Sequence, residues 1–369
     1  MNKIRINRIF FGHLGDRRGR KNSLSLSILL VTIPTLGIAL LPTYNQIGIW
    51  APLLLVLCRL VQGFCLGGEA SGAMTYIIES TTPQKRDMAS AWLVLSCYVG
   101  TLVGTLLGSF FTLSFMPSWG WRFTFVIGSL IALVGYYIRK RLKESPEFLA
   151  SHKQGKLLKL PIKELLKKEK LNLFYAMSIS SAVVVPFFVI FIHLNSLFIK
   201  NLHLESSFVL GLNAGLMGFW ILLLPFLGYL AQKYGRKTIM TIGALGMACF
   251  SYPLFLLIGV ELTFGSILIT QFILSIFAAA YAAPTSAFLV ELFPVNERYS
   301  GIAFGYSLGH ALFGGLTPII LTTLVQSLGL TFAPPIWLSL VSFLGSLPLY
   351  KNFFTLKTSY YFNANGLKN

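Results

Sequence analysis

Charge is what this 369-residue sequence has least of: Asp, Glu, Lys and Arg together make up 11% of it. A water-soluble domain carries roughly one quarter, so an ordinary soluble globular protein is excluded. Acids are scarcer than bases, 12 against 30, for a formal net charge of +18. Such an excess would suggest nucleic acid if it formed a patch, but the basic residues are spread through short loops between apolar segments, and a nucleic-acid partner is excluded. The four cysteines, Cys58, Cys65, Cys97 and Cys249, all lie in apolar segments with no CxxC or His-rich spacing. They read as small packing residues, and no metal or other cofactor is implied. HExxH, a convergent Ser/His set and a paired-Asp motif are all missing, which argues against an intramembrane enzyme. No small-residue cleavage site follows the first apolar run, which is itself too long for the core of a signal peptide.

What the chain does have is hydrophobic residues, 55% of the total, with a mean hydropathy of +0.71. About 20 apolar residues cross a bilayer as a helix. On that measure ten spans are predicted, near 24–42, 50–78, 89–115, 120–139, 173–199, 208–231, 239–259, 263–290, 300–326 and 332–350. The fold class is therefore all-α, a polytopic membrane protein in a lipid bilayer. The connecting loops alternate in charge, and 27 of the 30 Lys and Arg fall on one side, leaving only Arg59 within a span and Arg122 and Lys200 on the other side. Positive loops face the cytoplasm, so both termini are expected there.

The stretch Gly12-His13-Leu14-Gly15-Asp16-Arg17-Arg18-Gly19-Arg20-Lys21 recurs 216 residues later as Gly228-Tyr229-Leu230-Ala231-Gln232-Lys233-Tyr234-Gly235-Arg236-Lys237. Both copies read as tight loops between membrane helices, and together they mark an internal repeat. The polar run from Arg139 to Leu171 separates the copies. It is expected to be either an amphipathic stretch on anionic lipid or a loosely ordered linker. The domain reading is an incomplete helical bundle over 1–139, a linker over 140–172 and a six-helix bundle over 173–369. The copies do not balance: two helices precede the second loop motif and none precedes the first. The equivalent of residue 173 would fall at −43, so either about forty residues of a twelve-helix parent should precede Met1 or the protein has ten helices, since parallel six-helix halves are a known transporter design. A separately encoded fragment carrying the two missing helices is a conceivable partner.

Arg59 and Glu69 lie within an otherwise apolar span, where a central charge costs roughly 2.5–3.5 kcal/mol on insertion scales. At 100° per residue Arg59, Gln62 and Glu69 share a face, but Arg59 and Glu69 are about 15 Å apart along the axis and cannot pair. They read as a polar stripe, with Arg59 attracting a substrate carboxylate and Glu69 carrying a proton, or as structural anchors hydrogen-bonded to neighbouring helices. His193 and His310 are the other ionisable groups at membrane depth, proton relays or satisfied core histidines. Pro186, Pro284 and Pro318 interrupt helical hydrogen bonding, as gates or plain kinks. Gly100, Gly104 and Gly108 place small residues on one face, a helix-packing signal.

The loop motifs, together with Arg59-Leu60-Val61-Gln62-Gly63 and Gly67-Gly68-Glu69, resemble the major facilitator superfamily and, within it, the metabolite:proton symporter branch that includes proline/betaine and 2-oxoglutarate carriers. Glu79, Pro83 and Arg86 close the helix that bears this signature, and Glu291-Leu292-Phe293-Pro294 with Arg298-Tyr299-Ser300-Gly301 repeats the ending. Tyr306 and Phe313-Gly314-Gly315-Leu316-Thr317-Pro318 resemble the family's eleventh helix, although Ser307 stands where the family has Asn. The first helix, which carries an acidic and aromatic motif in the family, has no counterpart here.

The resemblance implies the major facilitator fold and proton-coupled symport of a small osmolyte or organic acid, with the substrate and protons as partners. The other reading is a non-transporting remnant of such a carrier. A substrate and proton path through Arg59, Gln62, Glu69, His193, Tyr306 and His310 is expected. The resemblance also implies a cytoplasmic gate of Gly12, Asp16, Gly19, Arg20, Glu79, Arg86, Gly228, Gly235, Arg236, Glu291 and Arg298, in which Asp16 caps the helix starting near Ser300 and Arg20 pairs with Glu79.

Overall fold

A computed structural model describes residues 14–17, 19–113, 115–154, 161–327 and 332–350. Gly12 lies outside them. Among the described residues ten helices are long and apolar enough to cross a membrane, and there is no strand. In chain order they are α1 (Arg20–Leu40), α2 (Trp50–Glu79), α3 (Arg86–Phe110), α4 (Arg122–Lys140), α5 (Lys170–Lys200), α6 (Ser206–Tyr234), α7 (Arg236–Val260), α8 (Phe264–Leu292), α9 (Arg298–Val325) and α10 (Ala333–Tyr350).

The count agrees with hydropathy, but the helix starts do not. The spans predicted from 24, 89, 239 and 300 begin at Arg20, Arg86, Arg236 and Arg298, two to four residues earlier. A hydropathy reading discards charged residues, whereas the first helical turn accepts them when their charges find partners. In both loop motifs the turn into the helix is made by glycine: Gly19 has φ 107° and Gly235 φ 91°, a region that other residues enter at a cost. The basic pair that follows is therefore helical, not loop.

α1 packs against α2 and α4, α3 against α6, α5 against α9 and α10, and α7 against α8 and α10, while α9 also touches α2 and the end of α8 touches α3. Apolar side chains cover the outside as well as the core, and small hydroxyl side chains share the interior. Leu53, Leu57, Leu60 and Leu222 are exposed, whereas Ser23, Thr75, Ser90, Ser180 and Ser251 are buried. Lipid tails offer helices no hydrophobic drive to associate, so small and hydroxyl side chains make the contacts. Ser251 Oγ lies 2.6 Å from Ser339 Oγ, joining α7 to α10.

Pro186, Pro284 and Pro318 sit at irregular points. α5 passes through a π-helical turn at Phe188–His193 just after Pro186. α8 breaks between Phe264–Ala282 and Thr285–Leu292 at Pro284. In α9 a π-helical turn at His310–Gly314 precedes Pro318. Proline lacks the N–H that would continue the ladder, and widened turns absorb the loss.

Three expectations need correction. Of the cysteines only Cys65 is buried, while Cys58 is intermediate and Cys97 and Cys249 are exposed, so three of the four are not packed fully inside the protein. A Cβ added at Gly100, Gly104 or Gly108 would meet nothing within 4 Å, so among the described residues this stripe makes no close helix contact. The start of the central loop is not loosely ordered. The segment Pro146–Lys153 is a helix capped by Ser145, and its Phe148 is buried in the protein.

Candidate functional site

The loop motifs, the ends of α2 and α8 and the starts of α3 and α9 meet at one end of the bundle. Arg20 and Glu79 are both fully buried as side chains. Arg20 donates from Nε and Nη2 to the two Glu79 oxygens, each at 3.2 Å, a bidentate arrangement that fixes both groups. Its Nη1 reaches Asp16 Oδ1 and the Gly15 carbonyl, each at 2.8 Å, and Nη2 reaches the Val295 carbonyl at 2.5 Å. The guanidinium also lies over the Phe148 ring, 5.0 Å from its centroid. Glu79 in turn accepts from Arg298 Nη1 at 2.9 Å and from Ser145 Oγ at 2.5 Å.

The second repeat builds a mirror of this set. Arg236 pairs with Glu291 at 2.9 Å, and Glu291 accepts from Arg86 at 3.2 Å. Both halves of the arrangement have the same order: a loop-motif arginine, a helix-end glutamate of its own repeat, and an arginine from the other repeat. Glu147 joins the two sets, accepting from Arg298 at 2.5 Å and also from Arg86. Arg236 has a further partner in Asp87, at 2.8 Å. A buried charge needs such company, because an isolated one costs several kcal/mol.

Asp16 crosses between repeats in another way. Its carboxylate accepts from the backbone N–H groups of Tyr299 at 3.1 Å and Ser300 at 2.8 Å, capping the first turn of α9, where orphan amides and the helix dipole favour an anion. Burial pushes the Asp16 carboxyl up from the usual range, while the Arg20 guanidinium and the Ser300 and Tyr299 donors pull it back. The mirror position holds Gln232, and no equivalent cap is formed there among the described residues. Close backbone approach completes the contact. A Cβ on Gly15 would lie 2.3 Å from the Tyr299 ring, and one on Gly228 would lie 2.5 Å from Ala91 Cβ. Ser90 Oγ donates to the Ala283 carbonyl at 2.6 Å and accepts from the Ser286 N–H at 3.0 Å. Tyr299 donates its hydroxyl to the Gly68 carbonyl at 2.8 Å.

The membrane-depth residues fall into separate groups. Arg59 is exposed, donates to Gln62 Oε1 at 3.1 Å and lies over the Phe125 ring at 5.5 Å. Gln62 donates to Thr35 Oγ1 at 2.8 Å. Among the described residues Arg59 has no carboxylate partner. Glu69 does have a basic partner: it pairs with Arg139 at 2.5 Å and accepts from Ser27 Oγ at 2.8 Å. Arg139, where the span predicted over 120–139 meets the polar run, belongs to α4, and its guanidinium reaches Glu69. Tyr306 and His310 stack with ring centroids 4.3 Å apart, and Ser180 Oγ lies 2.5 Å from His310 Nδ1. His193 sits apart, against the Phe255 ring.

The residues that sequence reasoning missed are Asp87, Arg139, Glu144, Ser145 and Glu147. Glu144 accepts from the backbone N–H groups of Arg20 at 2.9 Å and Lys21 at 3.2 Å, capping α1. Ser145-Pro146-Glu147 carries a legible signal, an N-cap residue followed by Pro and an acid at the start of a helix. Its position inside a lysine-rich run hid it.

The comparisons with known proteins agree with this architecture. The family model of the Major Facilitator Superfamily matches residues 7–224 and 218–358. A putative proline/betaine transporter of Staphylococcus aureus (strain MSSA476) is 33% identical over 349 residues, 92% of this chain and 74% of the relative. The glycine betaine/proline/ectoine/pipecolic acid transporter OusA of Dickeya dadantii (strain 3937) is 30% identical over 356 residues, 92% of this chain and 70% of the relative. Among solved structures, the proton:xylose symporter XylE bound to 6-bromo-6-deoxy-D-glucose superposes with a TM-score of 0.74 at 20% identity, over 94% of this chain and 84% of that one. The human organic anion transporter MFSD10 gives 0.67 at 15% identity, over 93% and 79%. The shared fold, the family match and the identity to curated carriers lead to one conclusion: the chain belongs to the Major Facilitator Superfamily and is a multi-pass membrane transporter.

Proposed function

We propose that this transporter moves a small carboxylate-bearing solute, an osmolyte of the proline/betaine class or an organic acid of the dicarboxylate class, together with protons, by alternating access across a bacterial inner membrane. The observation that carries the reading is the crosswise charge network, in which Glu79 meets Arg298 and Glu291 meets Arg86 across the two repeats. Such pairs hold one face shut, and opening that face exchanges them for water. A two-state element of this kind is what rocking of one bundle against the other requires. The segments 1–139 and 173–369 are the proposed moving bodies, joined through 140–172. The excess of Lys and Arg at the network end supports placing that end and both termini in the cytoplasm.

The substrate class is supported by the names of the relatives and by Arg59, a membrane-depth cation with no carboxylate of its own among the described residues. In this reading Arg59 and Gln62 receive the substrate carboxylate, Tyr306 and His310 line the path, and Glu69 carries the proton. Protonating Glu69 would release Arg139, so the ion pair is the element through which a proton can bias the conformation.

The test is uptake of labelled proline, betaine and 2-oxoglutarate into vesicles containing this chain alone. Accumulation of at least one solute that collapses with a protonophore is expected. If none of the three accumulates above empty vesicles, the substrate reading is wrong; if uptake is indifferent to the protonophore, the proton coupling is wrong.

A further inference from the structure

A cavity lies outside the charge network, between α1 and α4. It measures about 430 Å³ and is lined by Lys21, Ser25, Leu26, Leu29, Tyr136 and Lys140. The helices are antiparallel, so Lys21 in the first turn of α1 and Lys140 in the last turn of α4 stand at the same end. Among the described residues neither ammonium has a carboxylate partner. The Ser25 hydroxyl, in the wall of the cavity, has no hydrogen-bond partner among the described residues. Leu29 lies two helical turns from Lys21, about 12 Å deeper at 1.5 Å per residue. The groove is thus cationic at its mouth, hydroxyl-bearing in its wall and apolar toward the bilayer centre.

That order of chemistry matches one ligand. We propose that the groove binds an anionic phospholipid, with the phosphate held between Lys21 and Lys140, the Ser25 and Tyr136 hydroxyls donating to headgroup oxygens, and an acyl chain laid along Leu26 and Leu29. A basic pocket between helices at the headgroup level of a cationic face suits a lipid phosphate, and a free anion would leave the leucine wall unused. The position matters because the backbone N–H of Lys21 shares Glu144 with that of Arg20, so the lipid would sit beside the turn that holds the gate arginine. The inference needs only the membrane setting and is independent of substrate and coupling.

Native mass spectrometry of the purified full chain, titrated with dioleoyl phosphatidylglycerol or dioleoyl phosphatidylcholine, tests it. Phosphatidylglycerol is expected to bind at least tenfold more tightly. Lys21→Ala/Lys140→Ala should lose about tenfold for phosphatidylglycerol, Lys21→Arg/Lys140→Arg should retain it, and Lys200→Ala at the opposite end should not change it. Should the alanine pair fail to fold, Ser25→Leu, which fills the groove without touching charge, should weaken binding in its place. Equal affinity for the two lipids overturns the proposal, as does undiminished phosphatidylglycerol binding in the folded variants. Displacement of the lipid by millimolar inorganic phosphate would show a simple anion site and overturn the lipid assignment.

Discussion

Replacing Glu79 by Gln removes one charge at the centre of the network while keeping the side chain's shape. In the closed face Glu79 receives two bonds from Arg20, one from Arg298 and one from Ser145. A glutamine keeps one acceptor oxygen and turns the other into a donor aimed at a guanidinium. Breaking a buried pair costs about 3–5 kcal/mol, and the retained acceptor returns part of this, so the closed face should lose roughly 2–3 kcal/mol relative to the open one, where both arginines meet water. At about 1.4 kcal/mol per decade, that is a 30- to 150-fold rise in the open population. The readout is alkylation of Ser90→Cys, placed on a fully buried residue of the contact, in a background with Cys58, Cys65, Cys97 and Cys249 replaced by Ser. A membrane-impermeant maleimide should label inverted vesicles at least tenfold faster when Glu79→Gln is added. If the rate stays within twofold while the thermal midpoint shows a folded protein, the network does not hold this face shut.

Gly15→Ala should act in the same direction by sterics, because the added methyl would fall 2.3 Å from the buried Tyr299 ring. Faster labelling of the same cysteine is expected, and unchanged labelling would mean that the loop does not seat against α9. Arg59→Ala should abolish uptake while leaving membrane insertion intact, with Arg59→Lys raising KM; an unchanged apparent affinity would remove Arg59 from the substrate path. Glu69→Gln strands Arg139 in the membrane, so it should lose pH-dependent uptake, whereas Glu69→Gln/Arg139→Gln should recover protein yield without recovering coupling. A wild-type pH profile in Glu69→Gln would take Glu69 out of the proton path.

Ten spans were legible because about 20 apolar residues per crossing is a constraint set by the bilayer, not by tertiary detail. What hydropathy could not locate was where each helix begins, since Arg20, Arg86, Arg236 and Arg298 are charged and helical together. Apart from Asp16, four residues before Arg20, the acids that pair most closely with them, Glu79, Glu147 and Glu291 among them, lie far away in sequence, outside any local window. The Arg20–Glu79 and Asp16–Ser300 contacts could be anticipated only through resemblance, and Arg139 was hidden because a terminal arginine looks like loop until its partner Glu69 is known. The glycine stripe misled for the converse reason: small residues at helical spacing permit close approach but do not supply a neighbour.

The scarcity of acids was itself the strongest unread signal. Of the 12 in the chain, Asp16, Glu79, Asp87, Glu144, Glu147 and Glu291 all meet at one end of the bundle, against the four arginines Arg20, Arg86, Arg236 and Arg298. Six carboxylates and four guanidiniums leave two negative charges over, and two carboxylates lie on helix N-termini: Asp16 on α9 and Glu144 on α1. Each terminus offers roughly half a positive charge together with unpaired amides, which offsets about one of those two charges. A lysine in place of any of the four arginines would keep the charge and lose the forked donor geometry that lets one side chain serve two acids at once.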